Sequence, residues 1–330
     1  MGRFKNLILS SPHRIPFPIA TYPAIALTGC TAKQLVTDAT VQSAAQLKLR
    51  QTLGTSVLLT CMDLSVEAEA FGAEVRFSDD EVPTVIGRRV TSLQEIEALP
   101  RPVPGQGRTS VYLNTIRSLR EKSEDRPVMA GMIGPFSLAG RLLGVSECLL
   151  ATATEPEVVE ALLDRTTEFL LAYANEMKAS GADGVFVAEP TAGLLSPKSL
   201  GVFSSARIRT IIEAVQDSTF DVVLHNCGAS AHHLDAIAES GADIFHFGAP
   251  MYILAALRKL SPRAIVCGNL DPAAVFVQSS ADEIRQKTSD LLNATGDYQF
   301  FVPSSGCDIP AATPFENILA FVEQTSAGWQ

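Results

Sequence analysis

The sequence predicts an α/β protein, a (β/α)8 TIM barrel. Three observations carry that expectation. Eight short β-branched or apolar runs alternate with longer helix-like stretches, the pattern of repeated βα units. The chain has 330 residues, which suits a barrel of roughly 250 residues or more. One unit is also written twice, as "ASGADGVFV" at 179–187 and "ESGADIFHF" at 239–247. Each copy reads as a helix end, a Gly cap and a buried strand. An open doubly wound sheet is the alternative. It is disfavoured because no GxGxxG or GxxxxGK[ST] loop follows an early strand.

The expected strands, in order, are Phe17–Ala20, Val57–Cys61, Val128–Ile133, Gly184–Ala188, Val222–His225, Ile244–Phe247, Ala264–Cys267 and Tyr298–Val302. Between the second and third lies an insertion, about 72–125. It holds a candidate hairpin, Ala73–Phe77 with Thr84–Arg88, and the Pro/Gly-rich piece "LPRPVPGQG". It shows no core of its own, so residues 1–330 read as a single barrel domain with an excursion. The clearest helix is Glu155–Ser180, Ala/Leu-rich, opening on acidic residues and ending before Gly181. Ser205–Ala214, His232–Ser240 and Ala281–Leu292 complete the helical pattern, and Phe315, Glu316 and Asn317 open a last helix.

Composition narrows the classes. Apolar residues make up 46% and charged residues 19%, which is an ordinary core-forming balance. No apolar run reaches the roughly 18 residues of a membrane span. The start, MGRFKNLILSSPHR, has a basic opening but lacks a signal-peptide apolar region, and Asn6 breaks a myristoylation pattern. The net charge is −10, with no long basic block, so neither nucleic acid nor a membrane is an expected partner. We therefore expect a cytoplasmic protein. Its six cysteines, at 30, 61, 148, 227, 267 and 307, should then be reduced: buried hydrophobes, metal ligands or nucleophiles.

The chemistry concentrates in "VVLHNCGAS". His225 and Cys227 stand two apart at the end of a buried strand, so both side chains face one way. Cys307, in "VPSSGCDIPAATP", follows the last expected strand. A barrel brings the fifth and eighth strand ends to one rim, where barrel active sites sit. Three N/S donors with an open fourth position are the ligand set of catalytic zinc, whereas a structural site fills all four with protein. The competing reading is plain burial, since cysteines are common core residues. Cys30, Cys61, Cys148 and Cys267 lack a nearby His and read as core or rim. His232 and His233 read as solvent-facing or capping, and His246, between two Phe, as a satisfied core or rim histidine rather than a ligand.

Taken together, several motifs resemble the uroporphyrinogen decarboxylase superfamily, in particular its zinc-dependent corrinoid methyltransferase branch. They are "DLSVEAEAFGAEV" (63–75), "PVMAGMIGPFSLAGRLLG" (127–144), "GADGVFVAEPTAG" (181–193), "VLHNCG" (223–228), "CGNLDP" (267–272) and "SSGCDIPAATPFENI" (304–318). That branch includes methylcobamide:coenzyme M methyltransferases and the methyltransferases of O-demethylase systems. The His-x-Cys with a distant Cys is similar to its zinc signature, and the likeness spans nearly the whole chain. Two departures set the chain apart from the decarboxylase itself. "IPFPIATYPAIALTG" has no Arg to hold propionates, and Cys307 stands around where that enzyme has a histidine.

The resemblance implies methyl transfer between a small substrate, either a thiol acceptor or a methylated donor, and a corrinoid. The corrinoid would ride on a partner protein, because the chain has no Asp-x-His-x-x-Gly pattern. Zinc would be held by His225, Cys227 and Cys307. Glu189, acidic before Pro190 as in that branch, would be a displaceable fourth ligand or a base; otherwise it is a rim carboxylate holding a neighbouring loop. Glu67 is a candidate for substrate contact, although "VEAEA" also reads as a helix's first turn carrying solvated acids. Asn269 and Asp271 would orient substrate, or Asp271 would cap the turn before Pro272. "GPFSLAG" reads as a strand-to-helix turn with a possible anion site at the helix N-terminus. The alternatives are a non-catalytic zinc- or corrinoid-protein-binding barrel and a diverged decarboxylase.

Overall fold

A computed structural model describes residues 1–123 and 125–327. Seven parallel strands form one curled sheet in the order β1-β4-β5-β6-β7-β8-β9. They are β1 (Leu58–Leu59), β4 (Val128–Ile133), β5 (Gly184–Ala188), β6 (Asp221–Asn226), β7 (Ile244–Phe247), β8 (Ile265–Leu270) and β9 (Phe301–Ser305). The remaining two, β2 (Glu74–Arg76) and β3 (Thr84–Ile86), pair antiparallel as a separate hairpin.

The α/β class and parallel order are as the sequence predicts; the strand count is not. Phe17–Ala20, expected as the first strand, forms no ladder. Pro16 and Pro18 flank Phe17 and have no N–H to donate. The segment still runs beside β9: Phe17 N–H donates to the Pro303 carbonyl at 3.0 Å, and Ile19 N–H to Ser305 Oγ at 2.9 Å. The last strand begins at Phe301 rather than Tyr298, because residues 298–300 are spent on a turn in which Phe301 N–H bonds the Tyr298 carbonyl.

The expected excursion is also shorter than 72–125. Helix Thr109–Lys122 lies inside that stretch and buries Tyr112, Leu113, Ile116 and Leu119 against the sheet and the helix Ala39–Leu53. Their i, i+3, i+4 spacing gives the helix one apolar face, so it serves as the crossover between β1 and β4. Within that stretch the hairpin, the short helix Leu93–Glu97 and the Pro/Gly-rich piece stand off the βα pattern.

Alternation along the strands sorts side chains to two faces. Leu59, Met129, Phe186, Val223, Ile244, Ile265 and Val302, one from each strand of the large sheet, meet on the concave side with Phe4 and Phe17. The other face packs against the helices. Pro156–Ala179 has Pro at its first position and buries Val159, Leu162, Leu163, Leu170, Tyr173 and Met177 at helical spacing. Each such side chain contributes about 1.5–3 kcal/mol of burial. Packing on both faces fixes the strand register, and the register decides what meets at the C-terminal ends.

No single helix among the described residues is long and apolar enough to cross a membrane.

Candidate metal centre

His225 ends the inward-facing row of β6, and Cys227 follows it just past the strand. Cys307 comes two residues after β9. The ligand atoms of all three lie within 4.8 Å of one another. Tetrahedral zinc with bonds of about 2.0–2.3 Å spaces its ligands at comparable separations.

Glycine makes the meeting possible. A Cβ on Gly248, which follows β7 and opens the turn there, would overlap the Cys227 carbonyl, and one on Gly306 would lie 2.8 Å from the Ala249 amide. Bare backbone at both positions lets three strand ends press together.

Proton bookkeeping fixes the state of His225. The Ser304 hydroxyl donates to the Phe17 carbonyl. Its single proton is thereby used, so the 2.8 Å contact to His246 Nε2 must have the imidazole as donor. Burial, and then the neighbouring His225, holds His246 well below the ordinary histidine value, so its ring is neutral and Nδ1 is an acceptor. His225 Nδ1, 2.8 Å away, therefore donates to it. That leaves His225 Nε2, an atom that is buried and has no hydrogen-bond partner, as the ring atom available to an ion. A buried polar atom without a partner is costly, and this one lies beside two sulfurs. The donor set fits a soft divalent cation such as zinc.

The two cysteines share a proton. Cys227 is lowered chiefly because the Cys307 thiol donates to it; Cys307 is raised by that same bond and by burial. Cys227 is therefore the more easily ionised of the two.

The other expected residues serve the rim. Glu189 is fully buried, with both carboxyl oxygens occupied: Phe136 N–H donates to Oε1 at 2.9 Å, and Ser137 N–H and Oγ–H donate to Oε2 at 2.9 and 2.7 Å. The anion site expected at the "GPFSLAG" turn is thus filled by the chain's own carboxylate. Burial pushes Glu189 up to about 7 against these bonds. Glu67 does begin a short helix, Val66–Ala70, but it is buried rather than solvated. Its Oε1 accepts from Ile133 N–H at 3.1 Å, and burial pushes it up to about 8. Glu69 pairs with Arg108. Asn269 donates to the Gly248 and Met251 carbonyls at 2.9 and 2.6 Å, pinning the turn that carries Gly248. Asp271 caps Ala273 and Ala274 N–H, both at 2.8 Å. None of these five lines the cavity at the cysteines, which is about 90 Å³ in volume.

Reading the sequence alone missed three groups. His246 and Ser304 orient His225. Asp308, next to Cys307, is buried, accepts from Thr21 N–H and Oγ–H, and is pushed up by burial to about 7. The repeated unit held a usable signal for the first: it aligns His246 with Phe186, which points into the sheet's concave core. His233, expected at the surface or as a cap, is a buried cap, pairing with Ser230 and with the Leu195 carbonyl.

Fold and site together define a class: a curled parallel-sheet α/β protein with a His/Cys/Cys cluster at the C-terminal strand ends. The chain belongs to the uroporphyrinogen decarboxylase (URO-D) family, whose model matches residues 18–327. Within that family it is 30% identical over 264 residues to a methylcobamide:CoM methyltransferase of Methanosarcina barkeri, covering 78% of this chain and 76% of that one. Its likeness to a methylcobamide:CoM methyltransferase of Methanosarcina acetivorans is 29% over 275 residues, covering 82% and 79%. A solved methyltransferase from Methanosarcina mazei superposes with a TM-score of 0.86 at 24% identity, over 98% of this chain and 97% of that one, which bears on the fold. The resemblance read from the motifs is therefore borne out.

Proposed function

We propose that this protein is a zinc-dependent methyltransferase that moves a methyl group between a small substrate and a corrinoid carried by a separate protein. One observation carries the proposal: a buried histidine nitrogen without a partner, aimed at two thiols, in a chain similar to methylcobamide:CoM methyltransferases. His225, Cys227 and Cys307 would hold the ion. When bound, zinc would lower the pKa of a thiol or act as a Lewis acid on a methylated donor.

The protein's own groups do the rest. His246 and Ser304 keep the His225 proton on Nδ1. The charges of Cys227 and Cys307 offset that of the ion, which keeps a bound substrate thiolate nucleophilic. Apolar walls at the cavity exclude water. Glu189, Asn269 and Asp271 act by holding the rim loops in place, and Glu67 by holding the C-terminal end of β4. We read Phe17–Ala20 as the eighth stave of one barrel domain. A flat corrin would dock over the C-terminal rim. The site needs free thiols, and all six cysteines are free, which supports a reducing compartment such as the cytoplasm.

The test is metal content together with a cobalt spectrum. The purified chain should carry about one zinc per chain, most of it lost in Cys227→Ser and Cys307→Ser while the helical circular-dichroism signal persists. Substrate with methylcobalamin should change the visible spectrum, and His225→Ala should abolish that change. Full zinc retention in both Ser variants, or turnover without any cobalamin, overturns the proposal.

A further inference from the structure

Resting on that reading of the metal centre, we propose that the small substrate carries no negative charge: it is an uncharged, largely apolar methyl donor or thiol. The cavity at the cysteines is walled by Ile19, Met62, Leu64, Phe186, Ala188 and Pro190, with Asp308 as its one carboxylate. It shares Met62 and Asp308 with an outer chamber of about 350 Å³. The chamber adds Asp80 and Glu81 from the hairpin and the Tyr22 ring. No Lys or Arg lines either space.

The guanidinium and the helix N-terminal N–H groups nearby are already occupied. Arg108, whose charge is felt at Tyr22, is buried and engaged by Asp63, Glu69 and Ser65. The N-terminus of helix Pro135–Leu143 is filled by Glu189, and the Ala273 and Ala274 N–H groups by Asp271. The centre itself offers no surplus charge, because two thiolates neutralise a divalent cation. An anionic group entering this space would lose hydration and find no cation, with the Tyr22 hydroxyl as a neutral unpartnered donor beside it.

The experiment uses the full chain loaded with cobalt(II) in place of zinc. Thiolate binding is read from the sulfur-to-cobalt charge-transfer absorbance. The probes are 2-mercaptoethanol, 1-propanethiol and 2-mercaptoethanesulfonate, each titrated over a range of pH and expressed as thiolate affinity. The two neutral thiols should bind at least about tenfold more tightly than the sulfonate. Asp80→Asn with Glu81→Gln should narrow that gap by about two- to fivefold, the effect of two screened charges. Sulfonate binding as tight as that of the neutral thiols overturns the proposal while leaving the metal centre standing. A gap that the charge-neutralised variant does not narrow overturns the assignment of selectivity to the chamber. Absence of any thiol-dependent absorbance sinks the reading of the centre, and this proposal with it.

Discussion

Replacing His246 with leucine removes the acceptor for His225 Nδ1–H at a position with no exposure to water. A buried donor left without a partner costs about 1–3 kcal/mol. His225 escapes that cost by moving its proton to Nε2, the atom that must bind metal. Either way the metal form is penalised, and zinc affinity should fall about 10–100-fold, or about 1.4–2.7 kcal/mol. His246→Asn is the discriminating control. Its side-chain oxygen stands near the position of the imidazole Nδ1 and can still accept, so affinity should recover to within about fivefold of the parent. The assay is competition against a chromophoric chelator at constant pH, with the melting temperature of each metal-free variant measured alongside. A purely structural role for His246 would lower metal-free stability in both variants and move zinc affinity in both alike. Equal zinc affinity in the Leu and Asn variants would refute the proton bookkeeping.

Two further outcomes follow from the same geometry. Gly248→Ala forces a methyl group into the Cys227 carbonyl, so zinc content should drop by more than half while the far-ultraviolet spectrum stays native; undiminished zinc would show that the close approach is dispensable. Glu67 has a folded value of about 8 against an ordinary 4.5, so the folded chain binds the extra proton. Stability therefore falls as pH rises from about 4.5 to 8, by up to about 1.4 kcal/mol per unit. Glu67→Gln keeps the oxygen that Ile133 N–H needs and should flatten that part of the slope in urea titrations at pH 5, 6.5 and 8. An unchanged slope would assign the pH dependence elsewhere.

The legible parts of this molecule were those written in local periodicity. Strand ends at Ala188, Phe247 and Ile133 could be read from apolar runs because burial on both faces demands such runs. The His225–Cys227 pair could be read because alternation along a strand is fixed by covalent geometry. One failure was local, and the other two depended on partners far away in sequence. Phe17–Ala20 has a strand's apolarity, but a ladder needs N–H groups that Pro16 and Pro18 remove. Thr109–Lys122 was absorbed into the excursion because its apolar face becomes evident only beside Ala39–Leu53 and the sheet. Glu67 reads in "VEAEA" either as a substrate contact or as a solvated acid, since nothing in that string shows that Ile133 N–H waits for it.

Glu189 and His246 show how one sequence-level ambiguity resolves in opposite directions. Each is a polar residue at a parallel strand end, where function is the default expectation. Glu189 finds three donors at a helix N-terminus, and Gly134 is bare because a Cβ there would overlap its carboxyl group. Those bonds turn its carboxyl group to the helix N-terminus, and it does not line the cavity at the cysteines. His246 is equally buried, but its two nitrogens connect Ser304 on one side to His225 on the other. Whether a buried polar group at the rim does chemistry thus turns on where its last free lone pair or proton points. Following donors and acceptors outward from the Ser304 hydroxyl leads to a single open atom, His225 Nε2, at the place where the two cysteines meet.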